Sequence, residues 1–106
     1  MDTPEAIRIK SFGIASDESS QAYLFQRVWG KLGKFAREIQ GLEVRLKQLG
    51  WVGGEPQVSC TLSVTLAGGG QVAVERSALG PREAFDHAMG VAERMVRQSL
   101  QRLRHR

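Results

Sequence analysis

No second cysteine accompanies Cys60 in the 106-residue chain, so no internal disulfide forms and packing must supply the stability. A lone thiol also fits a reducing compartment. Histidine is scarce, with only His87 and His105, and no His/Cys cluster has the spacing of a metal site. No apolar run approaches the roughly 20 residues that span a bilayer. The start Met1-Asp2-Thr3-Pro4-Glu5 lacks the basic-then-apolar order of a secretory signal. Acidic residues are outnumbered by lysine and arginine, 11 to 15, and the resulting net charge of +4 favours anionic partners. These shortages predict a cytoplasmic protein with no cofactor, no metal and no membrane segment.

Catalysis has equally little to work with. Cys60 falls on the apolar parity of its strand and reads as a buried thiol, not a nucleophile. His87 lies on the polar side of its helix, one turn from Glu83. Glu83, Asp86 and Glu93 share that helix with arginines and read as ordinary helix charges. Gly68-Gly69-Gly70 joins two apolar-alternating stretches with no helix after it, so it reads as a hairpin turn and not a phosphate cradle. The expectation is a non-enzyme without a small-molecule substrate.

What is present is periodicity. The length suits one domain, 1–106, with residues 1–6 as a disordered lead. Residues 7–14 alternate as a strand whose apolar set slips phase near Ser11, as a bulge would make it. Ser16-Asp17-Glu18 reads as a helix start. Phe25, Val28, Trp29, Leu32, Phe35, Ala36 and Ile39 then mark one face of a helix that Gly41 helps to end. Gly30 and Gly33 inside it suggest close approach by a second helix. Residues 42–47 alternate as a strand, 50–56 read as a loop containing Trp51, and 58–66 alternate most clearly of all. Val72 and Val74 begin the returning strand. After Gly80-Pro81, the residues Phe85, Ala88, Met89, Ala92, Val96, Leu100 and Leu103 trace the apolar stripe of a last helix.

The predicted class is α+β, in the order β-α-β-β-β-α. Each strand has one apolar face and each helix one apolar stripe, so a four-stranded mixed sheet should carry both helices on one face. That is a layout like that of double-stranded-RNA-binding domains. Lys31, Lys34 and Arg37 share a flank of the first helix. Arg94 and Arg97 share one in the second, with Arg102 and Arg104 beyond. Side by side, these flanks would line a cationic groove, and placed cations gain binding energy by releasing the counterions of phosphates.

Several local strings resemble the ribosome hibernation-promoting factor family, which includes the ribosome-associated inhibitor. Ala84-Phe85-Asp86 followed by Glu93-Arg94 is similar to that family's Ala-Ile-Asp and Glu-Arg in its second helix. Lys31-Leu32-Gly33-Lys34-Phe35 resembles its Lys-Leu-x-Lys-aromatic in the first, with Ile39 closing that helix. The sequence departs from the family at Val91, where a lysine is usual, and at Leu79-Gly80-Pro81-Arg82-Glu83, which replaces an acidic-Met-Tyr lead. The resemblance implies a divergent short form that binds the small ribosomal subunit and its 16S rRNA in the channel used by messenger and transfer RNA. Such a factor regulates translation by inactivating and protecting idle ribosomes under stress. Lys31, Lys34 and Arg94 match positions where the family sets cations against ribosomal RNA. A monomer or weak dimer is expected. Two other readings follow from the residues alone: a general binder of structured RNA, and a self-association module using the Ser59/Thr61/Ser63/Thr65 face or an open strand edge.

Overall fold

The computed structural model describes residues 8–13 and 18–104, with side chains over 21–103. Residues 1–6, where a disordered lead is expected, the helix start expected at Ser16 and Asp17, and the last two residues lie outside the described residues. Strand β1 is Arg8–Gly13, helix α1 is Glu18–Leu32, and strands β2, β3 and β4 are Ile39–Val52, Glu55–Leu66 and Gln71–Leu79. Helix α2, Pro81–Arg104, ends the described chain. The sheet order is β1-β2-β3-β4, with β1 parallel to β2 and the other pairs antiparallel. The expected α+β architecture with two long helices is found.

The clearest alternation in the sequence gives the centre of the core. Val58, Cys60, Leu62, Val64 and Leu66 of β3 are buried on one side. The stripe of α2 lies over them: Ala84, Phe85, Ala88, Met89, Ala92, Val96 and Leu100 are all buried, at helical spacings of three and four. Leu24, Val28 and Leu32 of α1 join the same buried cluster, as do Leu42, Val44 and Leu46 of β2. Both helices therefore share one face of the sheet. The other face is polar, and there Ser59 Oγ donates to Glu75 Oε2 at 3.1 Å.

Four sequence expectations need correction. Helix α1 stops at Leu32, and residues Gly33–Glu38 form a 3₁₀ segment with Phe35 off helical geometry (φ −107°, ψ 18°). Ile39 and Gly41 then belong to β2, so neither closes a helix. Glycine at 30 and 33 weakens a helix by about 1 kcal/mol each, and Ile39 gains ladder pairing opposite Leu66. Gly30 has no neighbour where a side chain would project, so it marks no helix–helix approach. Gly33 does mark a close contact, but with the last turn of α1 before it: a Cβ there would stand 3.1 Å from the Trp29 ring.

The expected loop at 50–56 is mostly strand. Gly53 and Gly54 alone make the connection, at φ 58° and 83°, as a tight hairpin turn with two left-handed residues requires. Trp51 thus stands on β2, paired with Pro56. The slip expected near Ser11 is likewise not found, because β1 pairs with β2 in unbroken register from Arg8 to Gly13. The turn at Gly68-Gly69-Gly70 forms as expected, with Leu66 N–H donating to Gly70 O at 3.0 Å.

The start of α2 is fixed by backbone. Gly80 sits at φ 102°, donates to Pro56 O at 2.9 Å, and accepts from Ala84 N–H at 3.2 Å. That hinge aims α2 back across β3 and β4, beside α1.

Candidate nucleic-acid interface

Two rows of side chains meet where α1 and α2 run side by side. Tyr23, Arg27 and Lys31 recur every fourth residue along α1, and Lys34 extends the row on the 3₁₀ segment. Facing them on α2 are Asp86 and Glu93, two turns apart, which is the spacing that keeps both on one flank.

The first meeting point is a clamp. Tyr23 donates its hydroxyl to Asp86 Oδ2 at 2.6 Å, and Arg27 Nε reaches Asp86 Oδ1 at 3.1 Å. The guanidinium of Arg82 lies 4.4 Å from the centroid of the Tyr23 ring, which also meets Phe85 edge-on at 6.4 Å. The bond to Asp86 holds the Tyr23 phenol above its ordinary pKa, with burial adding to the effect. Tyr23→Phe removes one hydrogen bond to a charged acceptor at a half-buried site. It should destabilise the fold by about 1 kcal/mol, read as a lower urea midpoint with unchanged slope.

The second meeting point carries the cations. Glu93 accepts from Lys34 at 2.6 Å and pairs with Arg97 at 3.4 Å and Lys31 at 3.7 Å. The Lys34 hydrogen bond, with Lys31 and Arg97 nearby, holds the Glu93 carboxyl below its usual value of 4.5 despite partial burial. A depressed carboxylate stabilises the fold above its unfolded pKa and loses that contribution as pH falls through the folded value. This helix–helix tie is therefore lost at lower pH than an unpaired glutamate would protonate. Lys34 also lies 5.5 Å from the centroid of Phe35.

The expected groove is thus only partly assembled. Lys31, Lys34 and Arg97 converge on one carboxylate. Arg94, the neighbour of Glu93, is turned out to solvent and carries no ion pair among the described residues, and the same holds for Arg37. Arg102 is elsewhere: it lines a shallow notch with Leu66, Gln71 and Ser99, beside the β3–β4 turn. The side chain of Arg104 lies outside the described residues. Asp86 and Glu93, which read from the sequence as ordinary helix charges, are instead the anchors of both meeting points. Their seven-residue interval opposite the Arg27/Lys31/Lys34 row was the available signal.

Elsewhere the lone thiol is shut away, as its place on the apolar parity of β3 predicts. Cys60 is fully buried, and burial pushes its thiol up to about 12. A thiol reagent at pH 8 should leave native Cys60 unmodified and label it in denaturant, because only the thiolate reacts. Labelling of the native protein at the denatured rate would contradict the burial. His87 is exposed, and no group of three or more metal-binding side chains is found among the described residues. No helix among them is long and apolar enough to cross a membrane. Trp51 is 67% exposed near the β2–β3 tip, with Leu49 and Val52 also half exposed.

No family model matches the chain, and a search of curated proteins finds none similar. Solved structures do match. The N-terminal domain of Protein Y from Thermus thermophilus superposes with a TM-score of 0.68 at 19% identity, over 87% of this chain and 96% of that one. A ribosomal subunit interface protein from Coxiella burnetii gives 0.59 at 9% identity, over 94% and 98%. Both neighbours are members of the hibernation-promoting factor family that the helix motifs resemble. At these identities, what is shared is the fold.

Proposed function

We propose that this protein is a ribosome-associated translation regulator that binds the small ribosomal subunit through phosphates of 16S rRNA and inactivates or protects idle ribosomes. The observation that carries this reading is the convergence of Lys31, Lys34 and Arg97 on the ridge between α1 and α2. It is supported by a fold shared with a ribosomal subunit interface protein. Three cations against one carboxylate leave a surplus of positive charge at a point where three elements meet. Such a patch binds a phosphate backbone because bound cations release condensed counterions, and it needs no base-specific contact.

Arg94 adds a fourth cation, free to reach a second phosphate. Arg37 is exposed on the 3₁₀ segment and extends the charge along the same chain segment as Lys34. Arg102, on its separate notch, contributes diffuse attraction at most. The protein acts in the cytoplasm, without cofactor, as a monomer or weak dimer.

Co-sedimentation with purified small subunits on a low-salt gradient tests the reading. The protein should travel with the particle and leave it as salt rises; protein held wholly at the top of the gradient would overturn it. Two helices against one face of a mixed sheet also suit a plain RNA duplex, which is read by shape and backbone. A duplex is therefore the comparison ligand, and equal affinity for duplex and subunit would favour a general RNA binder instead.

A further inference from the structure

We infer that the Glu93 carboxylate occupies an anion seat built by Lys31, Lys34 and Arg97, and competes there with incoming phosphate, so that it sets how strongly the helix pair takes polyanions. The inference rests on the RNA-binding reading for its biological meaning, though the seat itself is a matter of geometry. Three cations from three elements, α1, the 3₁₀ segment and α2, reach one carboxylate, at 2.6, 3.4 and 3.7 Å. The Glu93 side chain is 16% exposed, against 38% for Lys31, 50% for Lys34 and 46% for Arg97. The anion thus forms the floor of the seat, and the cations form a rim open to solvent.

A charge-assisted tie of this kind does two things at once. It holds three flexible cations at one place before any ligand arrives. It also spends part of their charge on an internal partner, so a phosphate gains less than three free cations would give. Ion pairs this exposed are individually weak, which lets a phosphate draw the rim away from the floor. Arg94 is outside the seat and is the control: it has no internal anion to surrender among the described residues.

Glu93→Gln removes the charge and keeps the shape, with an amide oxygen still able to accept from Lys34. Binding is measured for wild type and E93Q with two probes, inorganic tripolyphosphate and a plain RNA duplex, across a salt series. E93Q should bind both roughly three- to tenfold more tightly at about 0.1 M salt, with a log–log salt slope steeper by about one. Equal or weaker binding by folded E93Q would overturn the proposal and leave Glu93 as a tie between helices. A second measurement needs no variant. Carboxyl NMR of the wild type should show the Glu93 pKa rising when tripolyphosphate binds, as its cations are drawn off; an unmoved or lowered value overturns the proposal, as does failure of both forms to bind tripolyphosphate. Small-subunit sedimentation, run in parallel, separates the two ideas. If it fails while the tripolyphosphate arms succeed, only the ribosomal reading is lost.

Discussion

Replacing Lys31, Lys34 and Arg97 together by alanine should lower affinity for the small subunit on the order of a hundredfold near 0.1 M salt, and flatten the salt slope by two to three. The size follows from counterion release, since each lost phosphate contact removes close to one unit of slope. Removing the cations also strands Glu93, which is only 16% exposed, and an unpaired carboxylate so placed would repel RNA. The same triple variant carrying Glu93→Gln separates the two effects: restored neutrality with binding still weak would assign the loss to the cations. Arg102→Ala, on its separate notch, should change affinity by less than about threefold and leave the slope within one unit. A triple variant that binds as wild type, while folded, would remove this ridge from the interface.

The largest effect on stability is expected at Phe85. Its side chain is fully buried between α2 and the sheet and meets Tyr23 edge-on. Phe85→Ala should cost about 3–5 kcal/mol through lost transfer energy and the cavity left behind. That is a large part of the 5–15 kcal/mol typical of a domain, and should lower the melting midpoint on the order of 15 °C. Phe25→Ala is the matched comparison. Phe25 is 55% exposed, with its ring 6.2 Å from Trp29, so its removal should cost less than about 1 kcal/mol. Comparable losses at the two positions would mean that the buried face of α1 is wrongly assigned.

That contrast also shows where the sequence was legible. The period-2 run of β3 and the long stripe of α2 each permit one buried face, and those faces are the ones observed. Helix α1 was ambiguous because Phe25 and Trp29 satisfy the helical period as well as Leu24, Val28 and Leu32 do. Tertiary contact resolves it: the Tyr23/Arg27/Lys31 row is drawn to Asp86 and Glu93, which turns Leu24, Val28 and Leu32 onto the core. No local signal carries that information, since the clamp residues lie 59 and 63 positions apart. The early end of α1 was hidden for a related reason. Phe35 and Ala36 continue a helical apolar pattern, yet strand pairing from Ile39 onward takes precedence. At 53–54 two glycines sufficed for the turn, and the flanking Trp51 and Pro56 look like loop residues but pair as strand.

The candidate site was legible in part. Charge composition and spacing pointed alike to Lys31, Lys34, Arg37, Arg94, Arg97, Arg102 and Arg104, and singled out neither the three that gather at Glu93 nor the carboxylate itself. The string resembling a known second helix, Ala84-Phe85-Asp86 with Glu93-Arg94, acquires a physical content: Phe85 is core, Asp86 and Glu93 tie the helices, and only Arg94 is turned outward.

The most direct test of phosphate-mediated ribosome binding is the affinity of the wild-type protein for purified small subunits between about 50 and 200 mM salt. The cations on the ridge require log affinity to fall linearly with log salt, with a slope of roughly −3. A slope near zero, or no binding at the low-salt end, would contradict it.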